Sequence, residues 1–302
     1  MRILVCGSNG QVGHELVARA AGFGLEATGL TRKQLDISQP GQVAMALQQL
    51  QPGLIINAAA YTRVDQAETE VERAYAVNRD ACGILADAAS LARIPLMHIS
   101  TDYVFAGDGS VPYRESDVAL PTGVYGASKR AGELEIQARL DEHLILRTSW
   151  VYGAYGNNFV KTMLRVGAQR DALSVVADQF GCPTHAGSIA EVLLELAARY
   201  SAGGQLAWGL YHYSGASPCS WYDFAVEIFR QAQEKGLLAR CPQVHPIATA
   251  QYPTPARRPA WSVLDCTLIE KTFGIAARDW HGELSSVLDE LKDDHPSLQV
   301  AG

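Results

Sequence analysis

The chain of 302 residues is 48 % hydrophobic and 19 % charged, which excludes a mainly disordered protein and allows one large domain or two ordinary ones. Its 32 acidic and 25 basic residues leave a formal charge of −7, and with no Lys/Arg block to offset it the balance argues against a nucleic-acid partner. The longest apolar runs, around residues 54–56 and 144–146, fall short of the roughly 18 needed for a membrane span, and the glycine turn at Gly7 arrives too early for a signal peptide.

In chain order, a strand is expected at 2–6, a helix at 11–21, a strand at 26–30 and a helix at 40–50. A strand at 54–58, a helix at 71–92, a strand at 96–100, a helix at 125–140 and a strand at 144–148 follow. Within 71–92, Ala74, Val77, Ala81, Leu85 and Ala88 recur at spacings of three and four and mark one apolar face. These first five strands are almost continuously apolar, as parallel strands covered on both faces are. The alternation predicts an α/β fold, a Rossmann-type doubly wound parallel sheet. Later elements are a helix at 158–169, a strand at 173–177, a helix at 188–200, a candidate strand at 211–214, and helices at 221–235 and 282–292. Five prolines, Pro242, Pro246, Pro253, Pro255 and Pro259, fall inside eighteen residues of the last third. The expected organisation is a dinucleotide-binding domain over 1–150, with returning segments at about 170–215. A smaller, partly interleaved α+β substrate lobe covers 151–302, and the last few residues read as frayed.

The six cysteines are scattered without a CxxC pair. Cys182-Pro183-Thr184-His185 is half of a metal site with no second half, so no metal is expected from it. With no Asn-x-Ser/Thr acceptor either, the chain reads as reduced and cytoplasmic.

Gly7, Gly10 and Gly13 follow the first strand in a GxxGxxG spacing rather than GxGxxG. Glycines there let backbone N–H groups approach a pyrophosphate at a helix N-terminus; the plainer alternative is an ordinary strand-to-helix turn. No acid stands at the tip of the second strand, where NAD's ribose hydroxyl would be held. Arg32 stands nearby, suited to a 2′-phosphate or simply solvated, so the sequence leans towards NADP(H). Ser100-Thr101-Asp102-Tyr103 closes the fourth strand, at the edge where ligands bind in such sheets. Tyr125 and Lys129, four apart, share one face of the next helix. A phenol is a poor acid–base catalyst near neutrality, and a neighbouring ammonium lowers its pKa into the working range. The Thr101 hydroxyl suits a substrate carbonyl. A Tyr-x-x-x-Lys pair by itself also fits a plain amphipathic helix.

In this order, with Asn57-Ala58-Ala59-Ala60-Tyr61-Thr62, Ser100-Thr101-Asp102-Tyr103-Val104-Phe105 and Arg147-Thr148-Ser149-Trp150-Val151-Tyr152-Gly153, the motifs resemble the extended short-chain dehydrogenase/reductases. Within them the chain is similar, along nearly its whole length, to the dTDP-4-dehydrorhamnose reductase family. The segments 156–159 and 178–181, Pro183-Thr184, 252–255 and Arg258-Pro259 continue the match. The resemblance implies reduction of the C4 keto group of dTDP-4-dehydro-β-L-rhamnose, with NADPH as the cofactor and NADH as its alternative. It implies Tyr125 as general acid, Lys129 as its modulator and ribose ligand, and Thr101 as carbonyl binder. Gln11 and Val12 would lie by the pyrophosphate, Asp36 and Ile37 near the adenine, and Ala60, Tyr61 and Thr62 along the cofactor cleft. Asp102 and Trp150 would meet the sugar, although a strand-end tryptophan read without the resemblance is a core residue. Arg258 is a surface charge or a partner for the substrate pyrophosphate. Some relatives hold Mg2+ with carboxylates at a homodimer contact. Glu15 and Glu290 are available here, but no third carboxylate is expected near Gly187, so neither metal nor dimer is inferred. Two other readings stand beside this one: another nucleotide-sugar 4-ketoreductase or epimerase, and a non-catalytic regulatory subunit keeping the fold.

Overall fold

The computed structural model describes residues 1–294; the expected frayed end lies outside the described residues. The first half runs β1 (Arg2–Cys6), α1 (Gln11–Arg19), β2 (Glu26–Leu30), α2 (Pro40–Leu50), β3 (Leu54–Asn57), α3 (Val64–Ala67), α4 (Val71–Tyr75), α5 (Ala81–Ala92), β4 (Leu96–Thr101), α6 (Val124–Arg139) and β5 (His143–Thr148). The second half runs β6 (Val151–Tyr152), α7 (Phe159–Gly167), β7 (Ala172–Val176), β8 (Phe180–Gly181), β9 (Thr184–His185), α8 (Ala186–Ser201), β10 (Gly209–His212), β11 (Cys219–Ser220), α9 (Trp221–Glu234), β12 (Gln243–Ile247), α10 (Thr267–Phe273) and α11 (Trp280–Asp294). Six strands form one sheet in the order β10-β5-β4-β3-β1-β2, every neighbouring pair parallel.

Coverage on both faces explains why β1, β3, β4 and β5 lack a polar alternation, whereas β2 at the sheet edge has no fully buried residue. In β1, Ile3 and Val5 pack with Leu16 of α1 and Ile189 and Leu193 of α8, while Leu4 and Cys6 pack with Val43 of α2, Leu85 of α5 and Ile136 of α6. The smaller lobe has its own core, in which Phe224 and Phe229 of α9 meet Leu284 and Leu288 of α11. No helix among the described residues is long and apolar enough to cross a membrane.

Two placements differ from expectation. The strand expected at 173–177 does not return to the central sheet. As β7 it pairs with β12 in the smaller lobe, so the returning segment begins near β9 and comprises α8 and β10. An apolar strand carries no label for its sheet partner. The helix expected over 71–92 contains a π-turn at Ala76–Asp80. That extra turn carries Asn78 inward, where its amide donates to Tyr61 O (3.0 Å) and Ser128 Oγ (3.0 Å) and its carbonyl accepts from Tyr61 N (2.8 Å). A π-turn of this kind trades helix regularity for a placed side chain.

Helix α6 lies close against its neighbours because it carries glycine at the contacts. A methyl group at Gly126 would overlap the Tyr103 carbonyl oxygen, and one at Gly132 the Asn78 carbonyl oxygen. Gly126→Ala should therefore lower stability by about 1–3 kcal/mol through overpacking, seen as a reduced melting temperature. An unchanged melting temperature would show that α6 is free to shift.

Candidate active site

At the C-terminal ends of β1, β3, β4 and β5 lies a cleft of about 820 Å³. Its floor begins with the glycine turn. Gly7 has φ +82, a left-handed conformation that costs glycine nothing, and a Cβ there would stand 2.8 Å from Ala59 Cα. Gly13 has no room for a methyl against the Gly7 carbonyl. Gly10 caps α1 without a side-chain hydrogen bond, and the first turn contains no acid. The first amides of α1, at Gln11 and Val12, thus face the cleft uncapped, and the helix dipole favours an anion there. This cradle fits the diphosphate of a dinucleotide.

Arg32, Asp36 and Ile37 line the cleft beyond the tip of β2, and Ala60, Tyr61 and Thr62 line it beyond β3. Arg32 is largely exposed and pairs with Asp36 at 3.4 Å. The Asp36 carboxyl is held below its usual pKa, first by the Ser38 hydroxyl and also by Arg32.

The chemistry-bearing side chains converge from β4 and α6. Thr101, Asp102, Tyr125 and Lys129 all line the cleft and are all buried. Thr101 Oγ1 donates to Asp102 Oδ1 (2.9 Å) and accepts from the Tyr103 N–H (3.3 Å). Burial pushes the Tyr125 phenol well above its ordinary pKa, opposed by the Thr101 hydroxyl and reinforced by the charge of Asp102. This corrects the expectation that the Lys129 ammonium lowers it. Lys129 is turned instead to Ile99 O (2.7 Å) and His98 Nε2 (3.0 Å), and burial lowers its own pKa. Tyr125 therefore holds its proton, which is the form a general acid starts from.

Glu133, one turn beyond Lys129, fixes this geometry. Arg147 of β5 donates to it through Nε (2.8 Å) and Nη2 (2.7 Å), Ser100 of β4 through Oγ (2.6 Å), and Arg130 through Nη1 (2.8 Å). Burial raises the Glu133 pKa, but the bonds from Arg147, its charge, and the bonds from Ser100 and Arg130 outweigh that, and the net shift is downward.

The opposite wall belongs to the sugar-sized end of the cleft. Trp150 sits at φ +47, rare for a bulky residue, and is half-buried, lining the cleft while packing against the second core. It stacks on Trp221 with ring centroids 3.4 Å apart and planes within 4°. Gly181 leaves room for the ring, since a Cβ there would overlap the indole. Asp102 is pushed up to about 7 by burial, against the Thr101 and Ser262 hydroxyls, and its Oδ2 is buried without a hydrogen bond. Trp221 and Ser262 had no signal in the sequence, because both arrive from the second lobe. Arg258 is not brought into the cleft lining. Its Nη2 donates to Asp65 Oδ2 (2.6 Å), tying the smaller lobe to α3, and its Nη1 is buried without a partner.

The expected carboxylates gather differently. Glu191, four residues past Gly187, is a third acid near Glu15, contrary to expectation. Arg19, however, stands between them, bonded to Glu15 (2.6 Å) and Glu191 (2.8 Å), with Glu290 adding its charge. Among the described residues no group of three or more His, Cys, Asp or Glu side chains is arranged to hold a metal ion.

Residues 1–293 match the family described as RmlD substrate binding domain. The dTDP-4-dehydrorhamnose reductase of Aggregatibacter actinomycetemcomitans is 46 % identical over 287 residues, 95 % of this chain and 98 % of that protein. The crystal structure of a dTDP-4-dehydrorhamnose reductase from Clostridium acetobutylicum superposes with a TM-score of 0.90 at 37 % identity, over 97 % of this chain and all of that one (100 %). That of the Bacillus anthracis reductase, in complex with NADP, gives 0.88 at 37 % identity, over 96 % and 99 %.

Glu133→Gln leaves Arg147 buried without its counter-charge and should cost about 3–5 kcal/mol in denaturant unfolding. Because the Glu133 pKa is lowered on folding, its contribution is present above its ordinary value of 4.5 and is lost as pH falls below it. The variant's deficit should therefore shrink in acid, and a deficit independent of pH would refute the assignment.

Proposed function

This chain belongs to the dTDP-4-dehydrorhamnose reductase family of NAD(P)H-dependent oxidoreductases, and from that premise we propose that it reduces the C4 keto group of dTDP-4-dehydro-β-L-rhamnose with NADPH, giving dTDP-L-rhamnose. The observation that carries this reading is the meeting of Thr101, Tyr125 and Lys129 in the cleft that also opens onto the uncapped first turn of α1.

When bound, NADPH supplies the hydride that adds to C4 as the carbonyl π electrons move onto oxygen. The amides of Gln11 and Val12 would hold its diphosphate over the close turn that Gly7 and Gly10 permit, and Arg32 at the lip would take the 2′-phosphate. Lys129, which lines the same cleft, would hold the hydroxyls of the nicotinamide ribose. Thr101 turns its hydroxyl proton from Asp102 to the substrate carbonyl and orients it. Tyr125 then gives its phenol proton to the forming alkoxide. A hydride and a proton are thus added, and a tyrosinate remains to be reprotonated from solvent. Asp102, whose Oδ2 lacks a partner, accepts from a sugar hydroxyl, and Trp150, backed by Trp221, offers an apolar face to the 6-deoxy carbon and one N–H to an oxygen. All six cysteines are free thiols, consistent with a cytoplasmic setting.

Tyr125→Phe should lower kcat by about two to four orders of magnitude, the range of a lost general acid, while the Kd for NADPH stays near that of wild type. Product analysis decides the substrate: if dTDP-L-rhamnose does not accumulate from dTDP-4-dehydro-β-L-rhamnose and NADPH, the assignment fails even if another keto-sugar is reduced.

The raised Asp102 pKa has its own signature. Above about pH 7 the carboxylate is ionised and accepts the sugar hydroxyl, so KM for the nucleotide sugar should fall as pH rises through 7. Asp102→Asn should flatten that limb, and a limb retained in the variant would assign it to another group.

A further inference from the structure

Beneath the catalytic lysine lies a chain of three buried side chains whose donors and acceptors can be counted. Asn57 Oδ1 accepts the backbone N–H of Ala59 (3.1 Å). A backbone N–H can only donate, so the amide orientation is set, and Nδ2 faces His98 Nδ1 at 3.0 Å. His98 Nδ1 must accept. The neutral imidazole then carries its proton on Nε2, and that nitrogen lies 3.0 Å from Lys129 Nζ. An ammonium has three donors and no lone pair. Placing one at Nζ would set two donors face to face in a site where Asn57, His98 and Lys129 are all buried. An amine relieves the conflict by accepting from Nε2–H while donating to Ile99 O at 2.7 Å. The other acceptor near Nε2, the Cys82 sulfur, is 3.9 Å away and itself donates to Asn78 O (3.2 Å).

We propose that His98 is a positioning residue that holds Lys129 as a neutral amine in the cofactor-free protein, so that Lys129 takes up a proton when the dinucleotide binds. The uptake half rests on the function proposed above, in which ribose hydroxyls offer Lys129 new acceptors; the amine half does not. The other titratable groups that act on Lys129 are Cys82 from α5 and Glu133 from α6, and Tyr125 lies one turn before it on α6. Cys82 is pushed up to about 11 by burial and stays a thiol, Glu133 is bound by Arg147, and Tyr125 keeps its proton. Burial acts in the same direction on both partners, disfavouring an imidazolium at His98 and an ammonium at Lys129. The tyrosinate left after each turnover is therefore faced by an ammonium only while cofactor is bound.

Calorimetry of NADPH binding at pH 7.5 in buffers of differing ionisation enthalpy measures the uptake, with Lys129→Met as the reference that cancels titration of the 2′-phosphate. Wild type should take up about one proton more than the reference, with affinity falling about tenfold per pH unit where the free and bound forms differ by that proton. In His98→Gln the side-chain carbonyl accepts from an ammonium in the free protein, and the extra uptake should vanish. No extra uptake in wild type, or the same uptake in the variant, overturns the proposal. If His98→Gln does not fold, nitrogen NMR of labelled wild-type protein without cofactor decides it. A protonated Nε2, a bare Nδ1 and an amine at Lys129 are expected, and an Nδ1–H tautomer or an ammonium refutes it. That measurement needs neither NADPH nor turnover, so failure of NADPH to bind would count against the proposed function alone.

Discussion

The site depends on one buried ion pair. Arg147 and Glu133 lie almost wholly out of solvent, at 1 % and 0 % side-chain exposure, and removing two such ions from water costs several kcal/mol each. Paired geometry and further bonds offset that cost. Glu133 accepts from Arg147 twice and from Ser100 and Arg130, while Arg147 also lies over the Phe105 ring at 5.0 Å and near His212 of β10. A hydrophobic pair of the same volume would hold the layers together as well, but without fixing how α6 slides along β4 and β5. The ion pair sets that register. Ser100 precedes Thr101 by one residue, and Glu133 follows Lys129 by one helical turn.

Close approach then does the rest, and glycine permits it. Gly126 lets the start of α6 meet the Tyr103 carbonyl, and Gly132 lets its middle meet the carbonyl of Asn78 in the π-turn. Asn78 in turn grips both Tyr61 in the cleft wall and Ser128 on α6. The helix that carries Tyr125 and Lys129 is thus held by backbone contacts on one side and by charge on the other. Preorganisation of this kind is what a hydride-transfer geometry requires.

The same packing explains the electrostatics. A cleft floor buried this deeply raises acids and lowers bases unless a partner intervenes. Glu133 has partners and goes down; Asp102, with one oxygen unbonded, goes up to about 7. Tyr125 goes up because it is buried, with the charge of Asp102 adding to the rise. Opposite them, Trp150 is held in a left-handed backbone conformation between Gly181 and Trp221, a strained placement that brings its ring to the cleft wall.

The parallel sheet, the glycine turn and the sharing of one helix face by Tyr125 and Lys129 were legible in the amino-acid sequence, because each rests on local chemistry: apolar strands between periodic helices, glycine where backbone must approach, two side chains at helical spacing; the roles of that pair and of Thr101 came from the family resemblance. What depends on partners far along the chain was not. Nothing around Leu173 says that its strand pairs with 243–247 instead of the central sheet, since any apolar strand edge offers the same hydrogen bonds. The sequence set Lys129 beside Tyr125, but tertiary packing turned its amine to Ile99 and His98, because β4 supplies nearer acceptors than the helix does. Arg258 and Glu191 were readable as charges. Their counter-ions, Asp65 and Arg19, lie 193 and 172 positions away, and only the folded chain brings such distances to within a hydrogen bond.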